Sequence, residues 1–225
     1  LPPRVADTKF SIGRGFYDSP IEVAITTATP DATIYYSTNG TDPGPGSVFK
    51  PGKRYTAPIA IDKTTMLRAR AFKKGLEPTD IDTHTYLFIA SVLEQADVQD
   101  RLPTKWNGQN ADYGMDPDVV DDPAYKDRIN DAFLALPTLS VVTNSDNFWA
   151  QDGLYLNTTR SSPNNSGADF KYEFEVSAEL IHSDGSRGFQ IQCGIRAQGG
   201  ASRNADRSPK HAMSLRFRRA YGEAV

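Results

Sequence analysis

The chain of 225 residues has room for one large domain or two domains of ordinary size. With 38% hydrophobic and 24% charged residues it has the composition of a folded protein, and its net charge of −3 argues against general nucleic-acid binding. Its single cysteine, Cys193, excludes an internal disulfide and a cluster of thiolate metal ligands. Because no run of about 18 apolar residues occurs, we expect no membrane-spanning helix.

Residues 8–88 consist of short stretches of strand-forming residues separated by turn residues. Ile21, Val23 and Ile25 alternate with other residues, which predicts a strand with one buried face. The stretch at 32–37 is rich in β-branched and aromatic residues, and a cluster of turn residues follows it at 39–44. Short strands with turns of this kind between them predict a β-sandwich.

Several stretches of this segment resemble the chitobiase/β-hexosaminidase C-terminal-type domain, a small immunoglobulin-like sandwich appended to many secreted bacterial proteins. They are Phe16-Tyr17, TPDATIYYSTNGTDP, TTMLRARAFKKG and THTYLF. The resemblance implies an Ig-like sandwich at residues 1–89 and a secreted or cell-surface location in a bacterium. The family usually has Asp at the position of Asn39, in a turn that tolerates either residue.

The sequence pattern of residues 90–225 predicts an α+β unit. After a long loop rich in Asp, Asn, Gly and Pro, Asp122 and Pro123 predict the start of the main helix, which ends at Pro137. Strands are predicted at 138–143, 153–157, 172–180, 189–197 and 213–217. The strands at 172–180 and 189–197 predict an antiparallel hairpin, the first of them with one face in water. We therefore expect a mainly β chain, in which an Ig-like β-sandwich precedes an α+β unit with an antiparallel sheet and one main helix.

Residues 91–225 resemble the N-terminal part of bacterial CotH (spore-coat protein H-like) kinase-family proteins. The resemblance lies in VLEQADVQDRLPTKW, DYGMDPDVVDD, LPTLSVVTNSDNFW, GLYLN, VSAELIHSDGSRGFQIQCGIRAQGGASR and PKHAMSLRFRRAYG, which occur in the family's order. It implies an atypical kinase-like fold that uses ATP and magnesium in the full-length protein. The acidic motifs that the family carries further on do not occur before Val225, so we expect an incomplete kinase-like region without catalytic residues.

The strongest candidate for an anion or nucleotide site lies between Gly188 and Tyr221. Residues 187–225 carry eight Arg and Lys residues against Asp206 and Glu223. Adjacent glycines let a backbone approach an anion closely, and guanidinium groups bind phosphate bidentately. By the second resemblance, Lys210 has the place of a nucleotide-contacting lysine. The candidate residues are Arg196, Gly199, Gly200, Ser202, Arg203 and Lys210. The alternative is a structural bend with solvated arginines.

Two further candidate sites follow from residue type alone. Acidic residues cluster in a loop, and calcium prefers several loop oxygens, although their spacing matches no EF-hand; they are Asp112, Asp116, Asp118 and Asp121. The alternative is that they are turn residues, with the neighbouring Asp122 as a helix cap. Aromatic residues that could stack on sugar rings are Trp106, Trp149, Tyr35 and Tyr36. The alternative here is core packing, but since Tyr35 and Tyr36 point to opposite faces of a strand, we expect one of them to be exposed.

Two functions remain open from the sequence. The first is the N-terminal portion of an extracellular bacterial CotH-like protein, with a Gly-Gly loop that contacts phosphate but no complete catalytic site. The second is a non-catalytic module that binds carbohydrate or a cell-surface protein, or serves as a scaffold. Since the chain begins at Leu1 rather than Met, we expect a processed product or fragment whose main partner is the rest of a larger multidomain protein.

Overall fold

The computed structural model describes residues 2–46, 52–100, 102–155, 173–199 and 207–221. It is mainly β, with several sheets and four short helices among these residues, as expected for an Ig-like β-sandwich followed by an α+β unit. No helix in the described part of the chain is long and apolar enough to cross a membrane. The division at residues 89 and 90 stays a prediction.

The first unit contains the strands of the sandwich. They are β1 (Thr8–Phe10), β2 (Gly15–Phe16), β3 (Ile21–Val23), β4 (Ile25–Thr27), β5 (Thr33–Ser37), β6 (Lys53–Arg54), β7 (Ile59–Ile61), β8 (Thr65–Phe72) and β9 (Asp82–Leu87). One sheet has the order β2-β9-β8-β5-β6, and the pairs β1-β4 and β3-β7 lie across the core from it. On β8, Leu67, Ala69 and Ala71 are fully buried in this core, because side chains of a strand alternate between its faces.

The second unit is built on a four-stranded antiparallel sheet. Its elements are α1 (Ile89–Leu93), β10 (Lys105–Trp106), β11 (Gln109–Asn110), α2 (Pro117–Val120), α3 (Ile129–Leu134), β12 (Thr138–Val142), α4 (Ser145–Trp149), β13 (Phe174–Ile181), β14 (Phe189–Ala197) and β15 (Met213–Arg216). The sheet order is β12-β13-β14-β15, which confirms the predicted hairpin. Cys193 lies buried in the apolar core on one face of this sheet.

Two local predictions are corrected by the backbone hydrogen bonds. The Asp122 side chain accepts a hydrogen bond from the amide of Ala124, as a cap does, but tight turns follow and helix α3 begins only at Ile129. The strand predicted from residue 153 is also wrong over its described part. The amides of Leu154 and Tyr155 donate to carbonyls in α4, so this segment folds back on the helix instead of joining a sheet.

The polar face of β13, predicted to face water, is instead buried against the sandwich. Ser177 and Glu179 are both 0% exposed. One Glu179 oxygen accepts a hydrogen bond from the Thr85 amide, at 3.3 Å, and lies 3.0 Å from Nε of Arg14. The other oxygen accepts from the Thr85 hydroxyl, which also contacts Ser140. The prediction was wrong because strand alternation separates two faces without saying what covers the polar one.

Glu179→Ala should lower the free energy of unfolding by about 3 kcal/mol, because it leaves the Arg14 guanidinium without its partner in the interface between the units. Urea denaturation measures this loss. Glu175→Ala is the matched control, since Glu175 lies on the same face of β13 but is exposed, and it should cost less than about 1 kcal/mol. Equal losses in the two variants would contradict a structural role for the Glu179 contacts.

Two half-buried groups of the first unit, His84 and Asp82, make opposite contributions to the pH dependence of stability. Burial, together with the nearby Arg14, lowers the pKa of His84 from 6.5 to about 4, so stability is lost as pH falls from 6.5 towards 4. Burial raises the pKa of Asp82 from 3.8 to about 6, although the hydrogen bonds from Thr8 lower it. The stability that this carboxyl contributes to the protein is therefore lost as pH rises from 4 towards 6. Between pH 4 and 6 the two effects offset each other.

Single variants should therefore separate the two slopes. Relative to the unaltered protein, Asp82→Asn should make the free energy of unfolding increase with pH between 4 and 6, by about 1 kcal/mol per pH unit. His84→Phe, which keeps a ring to stack on Phe10, should make it decrease by a similar amount. Denaturation curves at several pH values measure both changes. Slopes of the same sign in the two variants would overturn the assignment.

Candidate ligand-binding cleft

A cleft of about 420 Å³ lies where the two units meet. The first unit contributes the turn after β5 and Met66 of β8, and the second contributes the end of β12, helix α4 and part of the segment after α1. We call it the inter-unit cleft. Its lining residues are Asn39, Gly40, Thr41, Met66, Gln99, Asp100, Leu102, Val141, Val142, Thr143, Ser145, Phe148 and Trp149.

The aromatic wall of the cleft is formed by Phe148 and Trp149 at the end of α4. The Asn144 side chain caps this helix by accepting a hydrogen bond from the amide of Asp146 at 3.2 Å. The Trp149 ring stacks parallel to that of Trp106, with 6.5 Å between ring centroids, and contacts Tyr155 at 4.8 Å. Because rings pack behind Trp149, its orientation is fixed before any ligand arrives.

Polar side chains form the rest of the cleft. Asn39 Oδ1 accepts a hydrogen bond from the Thr41 hydroxyl at 2.7 Å, which holds the turn in shape. Gly40 has a positive φ of 80°, and an added Cβ would lie 2.9 Å from the Thr143 carbonyl oxygen, so only glycine fits at this contact between the units. The exposed carboxylate of Asp100 has no hydrogen-bond or ion-pair partner among the described residues.

One residue from each of three predicted sites meets beside this wall. Lys210 Nζ lies 2.8 Å from Asp112 Oδ2 and 5.7 Å from the centre of the Trp106 ring. Trp106 is buried, and its Nε1 donates to the Tyr113 hydroxyl at 3.0 Å. Sequence reasoning placed these residues in separate sugar, anion and metal sites, whereas the structure brings them together around Trp106, which stacks on Trp149.

Sequence reasoning also missed Tyr155 and His211. Their rings stack with 4.4 Å between centroids, and the Tyr155 hydroxyl donates to the Pro209 carbonyl at 3.1 Å. Both ring nitrogens of His211 are buried without a hydrogen-bond partner, and burial lowers the pKa of this imidazole. They lie within GLYLN and PKHAMSLRFRRAYG, but only the packing shows that their rings meet.

The other residues of the predicted anion site are dispersed or not described. Arg196 lies on β14 opposite Ser214 of β15, and Gly199 has a positive φ of 94°. Lys210 is exposed and bound to Asp112. Gly200, Ser202 and Arg203 lie outside the described residues. The anion site around these residues stays a prediction.

The acidic candidates have separate local roles. Asp112 pairs with Lys210, whereas Asp116 caps α2 by accepting a hydrogen bond from the amide of Asp118 at 2.9 Å. Asp121 is the C-terminal cap of the same helix. Among the described residues, no group of three or more His, Cys, Asp or Glu side chains is placed to hold a metal ion. The geometry of the described residues therefore adds no support for a calcium site, which stays a prediction.

Tyr35 and Tyr36 belong to the sandwich and do not line the inter-unit cleft. Tyr36 packs on the core and meets Tyr55 edge-on, while Tyr35 meets Phe72 edge-on at 5.7 Å. Both are half-buried, so the expectation that one of them is exposed was wrong. Neighbouring rings cover the outward face as well as the inward one.

Comparison with known proteins supports one of the two resemblances. Residues 12–83 match the family model of the chitobiase/beta-hexosaminidase C-terminal domain. Neither the curated proteins nor the solved structures gave a significant match, and no comparison supports a CotH region after the sandwich. The sandwich at residues 12–83 is therefore similar to the chitobiase/beta-hexosaminidase C-terminal domain, and this likeness suggests a module associated with carbohydrate-active enzymes.

Proposed function

We propose that the chain is a non-catalytic carbohydrate-binding module of a larger secreted or cell-surface bacterial protein, and that a glycan binds in the inter-unit cleft. The observation that carries this proposal is the fixed Trp149 ring beside Asp100, Gln99 and Asn39. The family of the sandwich supports it, because that family accompanies carbohydrate-active enzymes.

The chemistry of the cleft suits a sugar. A pyranose has an apolar face of C–H groups, which packs on an aromatic ring, and an equatorial rim of hydroxyls, which hydrogen-bond to planar polar groups. Phe148 and Trp149 offer the ring, and the Asp100 carboxylate offers free acceptors. The volume of about 420 Å³ falls within the range of small-ligand pockets.

The two tryptophans of the chain provide a direct signal for binding. Trp106 and Trp149 stack on each other, so their fluorescence reports on this site alone. Titration with a panel of soluble oligosaccharides, chito-oligosaccharides included, should give a saturable change in emission with at least one glycan. No change with any glycan, together with no retention on insoluble polysaccharides, would exclude the carbohydrate proposal.

Asp100→Asn should weaken glycan binding roughly tenfold, because a hydrogen bond to a charged acceptor is lost. Since Asp100 is exposed, this variant should keep its thermal stability. Asp62→Asn, which removes an exposed carboxylate from the sandwich away from the cleft, is the matched control and should bind as the unaltered protein does. Calorimetric titration measures both affinities, and equal affinity in the two variants would remove Asp100 from the site.

The second candidate is the N-terminal portion of a CotH-like atypical kinase region. Its support is the position of Lys210 just before β15, within the ordered motifs of residues 91–225. Against it, Lys210 is exposed, and the carboxylate it contacts is the exposed Asp112. A lysine that binds phosphates is instead oriented by a carboxylate inside the site.

Nucleotide binding distinguishes the two candidates. A CotH-like region should show a higher Tm with ATP and magnesium, and Lys210→Ala should abolish this shift. Lys126→Ala removes another exposed lysine of the second unit and should leave the shift unchanged. The carbohydrate proposal predicts no shift in any of the three proteins. Differential scanning fluorimetry measures these outcomes.

A further inference from the structure

A second cavity, of about 440 Å³, lies at the C-terminal end of β13, away from the aromatic wall. Its walls are residues 13–17 of the sandwich and the connection between β13 and β14. We call it the Arg14 pocket. None of its lining residues is acidic. The polar side chains of the lining include those of Arg14, His84, His182, Ser183 and Ser186.

Arg14 is held with part of its guanidinium still available. Its Nε contacts Glu179 at 3.0 Å, and the side chain is 23% exposed. The two terminal amino groups make no hydrogen bond among the described residues. A guanidinium has five N–H donors in a planar fork, so the Glu179 contact orients the group and leaves four donors for another anion.

The charge that faces the pocket is that of Arg14, because its partner Glu179 is not among the lining residues. Burial raises the pKa of Glu179, whereas the hydrogen bonds from Thr85 and the charge of Arg14 lower it. The exposed Asp184, next to the pocket, accepts a hydrogen bond from the amide of Ser186 within its own turn. Burial keeps the His84 ring neutral above about pH 4. This ring stacks on that of Phe10. Arg14 is thus the one permanent positive charge among the lining residues.

The loops around Arg14 leave room for a bound group. Gly13 and Gly15 flank the arginine, and Gly185 lies on the facing connection. An added Cβ on Gly13 or Gly185 would meet no atom within 4 Å, so open space lies beside both glycines. Glycine-rich turns leave backbone N–H groups accessible to an anion. The hydroxyl of Ser186 is a further donor at the rim, whereas that of Ser183 donates to the Leu134 carbonyl.

We propose that the Arg14 pocket binds an oxyanion, the carboxylate or phosphate group of a small ligand, through the terminal amino groups of Arg14. Two parallel hydrogen bonds from a guanidinium fork match either group. The pocket shares no lining residue with the inter-unit cleft. Its occupation therefore does not depend on glycan binding in the cleft.

Calorimetric titration at constant ionic strength tests this proposal, with inorganic phosphate, glucose 6-phosphate, glucuronate and chloride as probes. The expected result is saturable binding of at least one oxyanion and none of chloride. Preference for the two phosphates or for glucuronate identifies the source of the anionic group. If chloride binds as well as the oxyanions, or if none of the oxyanions binds, the proposal is wrong.

The variants address Arg14 itself. Arg14→Gln combined with Glu179→Gln keeps the interface neutral and should lower oxyanion affinity at least tenfold. Arg4→Gln removes a surface arginine paired with Asp80 and should change nothing. Unchanged affinity in the double variant would overturn the proposal. If that variant fails to fold, the ring resonances of His182 in the unaltered protein provide the test. They should shift saturably as the oxyanion binds, because His182 lines the pocket. Constant His182 resonances would contradict the pocket.

Discussion

The buried carboxylate of Glu179 constrains the arrangement of the whole chain. A carboxylate removed from water needs partners that replace its hydration, and here they come from the other unit, from Arg14 and Thr85. Such a group tolerates little displacement, because a shift of the two units would leave it buried and unpaired. The Glu179 contacts therefore favour one arrangement of the two units, since any other would leave a buried charge without its partners.

Both cavities follow from this arrangement. The inter-unit cleft needs Asn39 and Thr41 from one unit and Trp149 from the other, and the Arg14 pocket needs Arg14 from one and His182 from the other. Neither cavity exists in a single unit. The contact of Gly40 with Thr143 is a second fixed point between the units, at the edge of the cleft. An isolated sandwich, although it matches a known family, would therefore have half of each cavity.

The sequence predicted what depends on local periodicity and missed what depends on packing. Strands β13 and β14 were predicted because their alternation has a period of two. The same alternation could not show that Glu179 faces a neighbouring sheet. Trp106 and Trp149 were identified by residue type, but their stacking required the fold. Tyr155 and His211 lie within stretches that were noted for their resemblance, but only the fold shows that their rings meet.

The distribution of charge shows the same difference between sequence and structure. The basic residues after Arg187 pointed to an anion site there, yet Lys210 is bound to Asp112 and Arg218 is bound to Glu173. Both acidic partners come from the part of the chain where acidic residues dominate. Arg14, which lies in that acidic part, is instead the arginine that faces a cavity without carboxylates. The potential at a site is set by which charges are paired and buried around it, and the net charge of a segment does not give that information.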